Sequence, residues 1–165
     1  MQVKFVHFPL HPDTPQHGKS LAELFAGRGY DMAKMQAQMR ARMDAEGLPY
    51  GDRKMTYNSR LAQELGKWAE SQPGGDAIHD ALFKAYFVDG KNISDPAELV
   101  QIAKSVGLDP VKAKEVLEKR TYKAAVDADW EKSRQYGVTG VPTFVVGERG
   151  VVGAQPYEAL EQLVK

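Results

Sequence analysis

The sequence predicts an α/β protein in which a long helical block interrupts a small sheet. β-branched and aromatic residues cluster near the two ends of the chain, whereas residues 20–134 follow a helical pattern throughout. Gln2–Phe8 has this strand-like composition and stops at Pro9, so it predicts the first strand. The expected order is therefore strand, helical block, strand, strand and helix.

The helical block carries its own start and stop signals. Ser20 and Glu23 have the spacing of a capping box, which predicts a helix start. Further helices are predicted over 58–71, 77–88, 96–106, 110–118 and 122–136, and two of them, 96–106 and 110–118, are opened by an Asp–Pro pair. One helix ending at Gly47 carries four methionines at spacings of three and four: Met32, Met35, Met39 and Met43. We expect this stripe to pack in the core, and an adaptable surface for client peptides is the alternative.

The C-terminal quarter returns to strand-like patterns. Thr143–Val146 and Val151–Val152 are short β-rich runs separated by Gly147–Gly150, which predicts a hairpin. Gln155–Pro156 then opens an amphipathic helix that closes the chain.

Charge and composition exclude several classes of function. The 22 basic and 22 acidic side chains cancel, so no global field gathers phosphates or anionic lipid, and we predict neither nucleic acid nor membrane as a partner. No apolar stretch approaches the roughly 20 residues of a membrane span, and no signal peptide is evident, so a cytoplasmic location is expected. His7, His11 and His17 lack the spacing of a zinc site, so neither a metal nor a cofactor is predicted.

Four segments resemble one protein family. Gly137–Phe144 reads GVTGVPTF and resembles the "GV.GVP.F" signature of DsbA-family thioredoxin-fold proteins. Val152–Leu160 is similar to the "SGAQP…L" ending of the FrnE-like branch, Phe8–Gly18 to its "F.LNP..P..G" segment, and Ala85–Asp95 to its "AYF..G..I.D" stretch. These segments occur in the family's order and span nearly the whole chain.

The resemblance implies an α/β, thioredoxin-like fold of the DsbA type with a large, all-helical insertion. Residues 1–18 and 137–165 would form the thioredoxin-like part and residues 19–136 the insertion. Family members are thiol–disulfide oxidoreductases that act on thiol-containing proteins or peptides through a Cys-x-x-Cys motif at the head of a helix. These 165 residues contain no cysteine, so no catalytic residue is present and the chain is redox-inactive as written.

The resemblance also implies a substrate-binding loop. In the family the proline of the signature is cis, and the residue before it pairs with an extended substrate. This assigns substrate binding to Val141 and Pro142 with Thr139 and Gly140, although a trans proline at a strand start is the ordinary alternative on sequence grounds. Asn58 and Ser59 match a pair that lines the family's groove, and a helix N-cap explains them equally well.

The resemblance implies that the chain begins at the family's second strand, which leaves the sheet truncated at its N-terminus. Because the lost strand is central in a thioredoxin fold, its neighbours would have unpaired edges. We therefore expect Val3–Phe8 to pair directly with Thr143–Val146, or a second chain to fill the gap. That second chain would be another copy in a homodimer or a complementing N-terminal segment.

Two further functions stay open beside the oxidoreductase. One is a non-catalytic, chaperone-like peptide-binding module that kept the proline loop and lost the thiol chemistry. The other is a relative of the kappa-class glutathione transferases and 2-hydroxychromene-2-carboxylate isomerases, in which a serine near the N-terminus activates glutathione. That serine would also lie outside this chain, and the Gln155–Pro156 ending fits the FrnE-like branch better.

Overall fold

The computed structural model describes residues 3–27 and 29–165, which form two compact units. The helical unit comprises His11–Lys123, and the hairpin unit comprises the residues up to Leu10 together with Ala124–Lys165. The family resemblance predicts a different division, with a thioredoxin-like part at 1–18 and 137–165 and a helical insertion at 19–136. That division stays a prediction.

The helical unit begins with the capping box that the sequence predicts. The Ser20 backbone N–H donates to Glu23 Oε2 at 2.7 Å, and the Glu23 N–H donates to Ser20 Oγ at 3.1 Å. Asp95 and Asp109 cap later helices with their side chains, which accept backbone N–H groups of the first turn, and each is followed by proline at the first helical position. The elements of this unit are β1 Lys19–Ser20, α1 Leu21–Phe25, α2 Met32–Ala45, β2 Met55–Thr56, α3 Arg60–Ala69, α4 Ala77–Phe87, α5 Pro96–Ser105 and α6 Pro110–Lys119.

The core of the helical unit lies among α3, α4, α5 and α6. Leu65, Ile78 and Leu99 are fully buried at its centre, and burying side chains of this size contributes about 1.5–3 kcal/mol each. The two-residue strands β1 and β2 pair antiparallel, with Lys19 opposite Thr56. Sequence patterns missed this short ladder because two residues are too few to show a period.

The methionine stripe lies on α2, and the expectation that it packs in the core is wrong. No residue of α2 is buried, and Met39 is 45% exposed. The polar contacts of α2 reach an irregular segment, since Arg40 pairs with Asp52 and Gln36 donates to the Arg53 carbonyl. An irregular segment of this kind offers no continuous apolar face against which methionines could be buried.

The remaining elements are α7 Lys123–Gln135, which belongs to the hairpin unit from Ala124 onwards, β3 Thr143–Val146, β4 Arg149–Val152 and α8 Tyr157–Val164. β3 and β4 pair antiparallel in a register that runs from Thr143 opposite Val152 to Val146 opposite Arg149. Gly147 takes the first turn position with φ +61, the left-handed geometry that glycine supplies in a two-residue hairpin turn. The predicted hairpin is confirmed, and its turn is shorter than the sequence suggested.

The predicted first strand is wrong. Val3–Phe8 forms no strand, and Gln2 lies outside the described residues. Within the described chain β3 pairs with β4 alone, so the expected direct pairing of Val3–Phe8 with Thr143–Val146 is also wrong. The His7 N–H instead donates to Asp129 Oδ2 on α7 at 3.0 Å. A strand-like composition forms a strand only where its backbone finds a partner to complete a ladder.

Candidate functional site

The proline loop, residues 137–142, leads from α7 into β3. Its first residue ends α7, because the Gly137 N–H donates to the Arg134 carbonyl at 2.9 Å and Gly137 has φ +65. The Val141–Pro142 peptide bond is cis, as the resemblance implies. Val141, the residue before that bond, is 51% exposed.

Two hydrogen bonds fix the loop on either side of Val141. Thr143 Oγ1 donates to the Gly140 carbonyl at 2.7 Å, and the Gly153 N–H donates to the Pro142 carbonyl at 2.7 Å. The first closes the loop on the start of β3, and the second ties it to the end of β4. Val141 is therefore held at the surface by its neighbours, with Thr139 exposed two residues before it. A backbone fixed in this way loses less conformational entropy when it pairs with a ligand.

The outer edge of β3 continues this exposed surface. Hydrogen-bonded and non-hydrogen-bonded pairs alternate along an antiparallel ladder. The bond from the Gly153 N–H to the Pro142 carbonyl makes residues 142 and 153 a hydrogen-bonded pair, so the next hydrogen-bonded residues of β3 are Phe144 and Val146. These two residues direct their backbone groups to β4. Thr143 and Val145 consequently direct their N–H and C=O groups away from β4. Val145 is 41% exposed at this edge.

The two faces of the hairpin differ in what they contact. α8 lies against β3, and Arg149 Nη2 donates to the Leu163 carbonyl at 2.9 Å. By alternation, Phe144 and Val146 share the face of Arg149. The opposite face, with Thr143, Val145 and Val152, lines a shallow cavity of 190 Å³ beside 136–138. The hairpin thus has an open face and an open edge.

Asn58 and Ser59 belong to the helical unit, at the start of α3. Asn58 Nδ2 donates to the carbonyls of Pro12 and Thr14, both at 2.9 Å, and Asn58 Oδ1 accepts the Arg60 N–H at 2.9 Å. The Ser59 side chain makes no capping bond. Asn58 therefore ties the segment around Thr14 to the start of α3, which is a structural role. A substrate-binding role for either residue stays a prediction.

A buried carboxylate in the helical unit escaped the sequence analysis. Glu64 accepts bonds from Arg60 Nε and from Arg120 Nε and Nη2, all at 2.7 Å. Burial favours the neutral form and raises its pKa, but the hydrogen bonds from Arg120 and Arg60 outweigh burial and leave the pKa below its ordinary value. The i, i+4 spacing of Arg60 and Glu64 was visible in the sequence, whereas Arg120 is 56 residues further along.

Residues 3–27 and 29–165 contain neither a candidate metal cluster of His, Cys, Asp or Glu nor a helix suited to crossing a membrane. Across that part of the chain, no three His, Cys, Asp or Glu side chains converge as a metal site would require. No helix there combines the length and the apolar surface needed to cross a membrane.

The fold and the proline loop define a thioredoxin-like protein with a helical unit. The model of the DSBA-like thioredoxin domain family matches residues 1–165, and the chain belongs to this family. Uncharacterized protein YwbO of Bacillus subtilis (strain 168) is 32% identical over 108 residues, which cover 63% of this chain and 52% of YwbO. The chain thus matches about half the length of that curated relative.

The solved structures that resemble the chain include a probable oxidoreductase and an isomerase. A probable DsbA oxidoreductase from Streptomyces coelicolor is 31% identical, with a TM-score of 0.83 over 93% of this chain and 69% of the other. A 2-hydroxychromene-2-carboxylate isomerase is 19% identical, with a TM-score of 0.69 over 81% of this chain and 65% of that one. The second likeness concerns the fold alone.

Proposed function

We propose that this chain is the peptide-binding part of a DsbA-like thiol–disulfide oxidoreductase. The thiols would come from a Cys-x-x-Cys segment outside these residues, because none of the 165 is cysteine. Family membership and the 31% identity to a probable DsbA oxidoreductase support the class of protein. The observation that carries the proposal is the exposed residue Val141, whose two neighbours are each held by a hydrogen bond, at the Gly140 carbonyl and at the Pro142 carbonyl.

An extended peptide would lie along Val141 and exchange backbone hydrogen bonds with it, as an added strand does. This pairing would place a substrate sulfur beside the loop. In the exchange, an incoming thiolate attacks one sulfur of a disulfide, a mixed disulfide forms, and the other sulfur leaves as a thiolate. The loop would bind and orient the peptide, and the thiolate would belong to the segment outside this chain.

A second candidate is peptide binding without redox chemistry. The lack of cysteine favours it, because the same loop could hold an extended client with no thiol partner at all. The isomerase-like alternative has support from the fold alone. Glutathione affinity would favour that third reading over the first two.

Nuclear magnetic resonance of the ¹⁵N-labelled chain tests the proposed peptide site. The ligand is an extended peptide containing one cysteine, and its control is the same peptide with alternate backbone nitrogens methylated. We expect the unmodified peptide to shift the amides of Gly140 and Val141 and to bind at least about tenfold more tightly, since methylation removes strand hydrogen bonds. The amides of Glu148 and Arg149, at the far end of the hairpin, should not move. Equal affinity for both peptides would contradict the proposal.

A further inference from the structure

The four methionines of α2 form a surface stripe that the proposed function does not use. Met32, Met35, Met39 and Met43 follow one another at spacings of three, four and four residues. Residues at these spacings are neighbours on one face of a helix, with Cβ atoms about 5–6 Å apart. The methionine stripe therefore contains three successive pairs of adjacent thioethers: Met32 with Met35, Met35 with Met39, and Met39 with Met43.

The side chains of the methionine stripe are accessible. No residue of α2 is buried, Met39 is 45% exposed, and the other three methionines are half-buried. A methionine side chain is unbranched and has three rotatable bonds, so it changes rotamer easily when it is not packed in a core. The core of this unit lies among α3, α4, α5 and α6. Two sulfurs of one pair can therefore turn toward the same ion without disturbing that core.

The ligand type of the methionine stripe favours a soft cation. Thioether sulfur is a soft, uncharged donor, and soft sulfur ligands select Cu(I). Mg²⁺ and Ca²⁺ prefer oxygen, and Zn²⁺ prefers imidazole nitrogen, thiolate or carboxylate. A cysteine thiolate would compete for a soft cation, but none of the 165 residues is cysteine.

The charges beside the stripe balance each other. Arg42 is three residues after Met39, and Glu46 is three residues after Met43, so both lie next to the stripe on α2 and at its end. Both side chains are exposed, and their charges are opposite. Arg40, the next cation along the helix, pairs with Asp52. A single positive ion at the stripe thus meets no net positive charge.

We propose that the methionine stripe is a binding site for Cu(I), held by the two thioethers of an adjacent pair. Two sulfurs suffice, because Cu(I) has a filled d shell and accepts a low coordination number. Met35 and Met39 form the central pair, since each also belongs to a second pair. The site lies within the helical unit and does not involve the proline loop, so it is independent of the proposed function.

The test uses the full 165-residue chain with ¹³C-labelled methionine methyl groups. Ag(I), which has the charge and softness of Cu(I) and stays in one oxidation state, is titrated while the methyl signals are followed by nuclear magnetic resonance. We expect the signals of Met35 and Met39 to shift, and that of Met55, in β2, to stay in place. Zn²⁺ at the same concentration should leave all three unshifted. Competition with a chromogenic Cu(I) chelator, without oxygen, then gives the Cu(I) affinity.

Two double variants remove the same number of thioethers from the stripe. Met35→Leu with Met39→Leu leaves no adjacent pair, because Met32 and Met43 are eleven residues apart. Met32→Leu with Met43→Leu leaves the central pair intact. Leucine matches methionine in size and helix propensity, so both variants should fold. The first should weaken Cu(I) binding at least about tenfold, and the second by no more than about threefold, since one of three pairs remains.

Three results would overturn the proposal. They are unshifted methyl signals of Met35 and Met39 in Ag(I), equal Cu(I) affinities of the two double variants, and Zn²⁺ binding at the stripe as tight as that of Cu(I). None of these results bears on peptide binding at Val141, which the cysteine peptide tests separately.

Discussion

Replacing Glu64 with glutamine tests the helical unit that accompanies the loop. The carboxylate side chain is 1% exposed and joins Arg60, at the start of α3, to Arg120, at the end of α6. Glu64→Gln removes the charge and leaves two guanidinium groups without their anion. Breaking a buried ion pair by removing one partner costs about 3–5 kcal/mol. Arg120 is 42% exposed and can be hydrated, so we expect the lower end, about 3 kcal/mol.

The loss should be visible as a lower midpoint of thermal unfolding. For a chain of this size, each 1 kcal/mol shifts Tm by about 2–4 °C, so the expected decrease is about 6–12 °C. The assay is circular dichroism at neutral pH. Glu115→Gln is the matched control, because Glu115 forms an exposed pair with Lys119 at 2.6 Å on α6, and its Tm should match that of the unmodified chain.

The same substitution has a predicted pH dependence. The Arg120 and Arg60 hydrogen bonds hold the pKa of Glu64 below its ordinary value of 4.5 despite burial. A lowered pKa in the folded state means that the ionised carboxylate contributes stability above the ordinary value, and that this contribution is lost as the pH falls through the lowered pKa. The Tm difference between the unmodified chain and Glu64→Gln should therefore be full at pH 7 and narrow as the pH falls below the ordinary value of 4.5. A difference that is absent at pH 7, or that widens in acid, would refute the argument.

Two further substitutions, each with a control, test contacts within the helical unit. Gly51→Ala should destabilise the chain by about 2 kcal/mol or more, because the added Cβ would lie 2.1 Å from the Val88 carbonyl oxygen. Gly140→Ala is the control, because its Cβ meets nothing within 4 Å. Its free energy of unfolding in urea should lie within about 1 kcal/mol of that of the unmodified chain. Asn58→Ala should lower the free energy of unfolding by about 2 kcal/mol, because it deletes two hydrogen bonds to the Pro12 and Thr14 carbonyls and one from the Arg60 N–H. The control Ser59→Ala should lower it by less than about 0.5 kcal/mol, since Ser59 makes no capping bond. Similar losses for Asn58→Ala and Ser59→Ala would show that the Asn58 bonds contribute little.

Local signals explain why the helices could be predicted from the sequence. Asp95–Pro96 and Asp109–Pro110 specify helix starts through groups within three residues, so no distant contact is needed. The hairpin was predictable for the same reason, since Gly147 supplies the turn between two β-branched runs. The cis bond before Pro142 came from the family resemblance, because sequence chemistry alone favours trans.

Features that depend on distant partners could not be predicted. Val3–Phe8 has the composition of a strand but pairs with no strand among the described residues, and the methionines of α2 have helical spacing but none of them is buried. Periodicity shows which side chains share one face of a helix or strand, but the residues that this face contacts depend on the tertiary fold. The hydrogen bonds between Glu64 and Arg120 could not be predicted for the same reason, since 56 residues separate the two side chains.

The coding DNA upstream of the Met1 codon tests the central claim most directly. If this chain is the peptide-binding part of a thiol oxidoreductase, the same reading frame should encode an apolar strand followed by Cys-x-x-Cys at the head of a helix. An in-frame stop codon, with no such segment between it and Met1, would contradict the proposal that the thiols belong to the same polypeptide. Peptide binding without redox chemistry would then be the function to pursue.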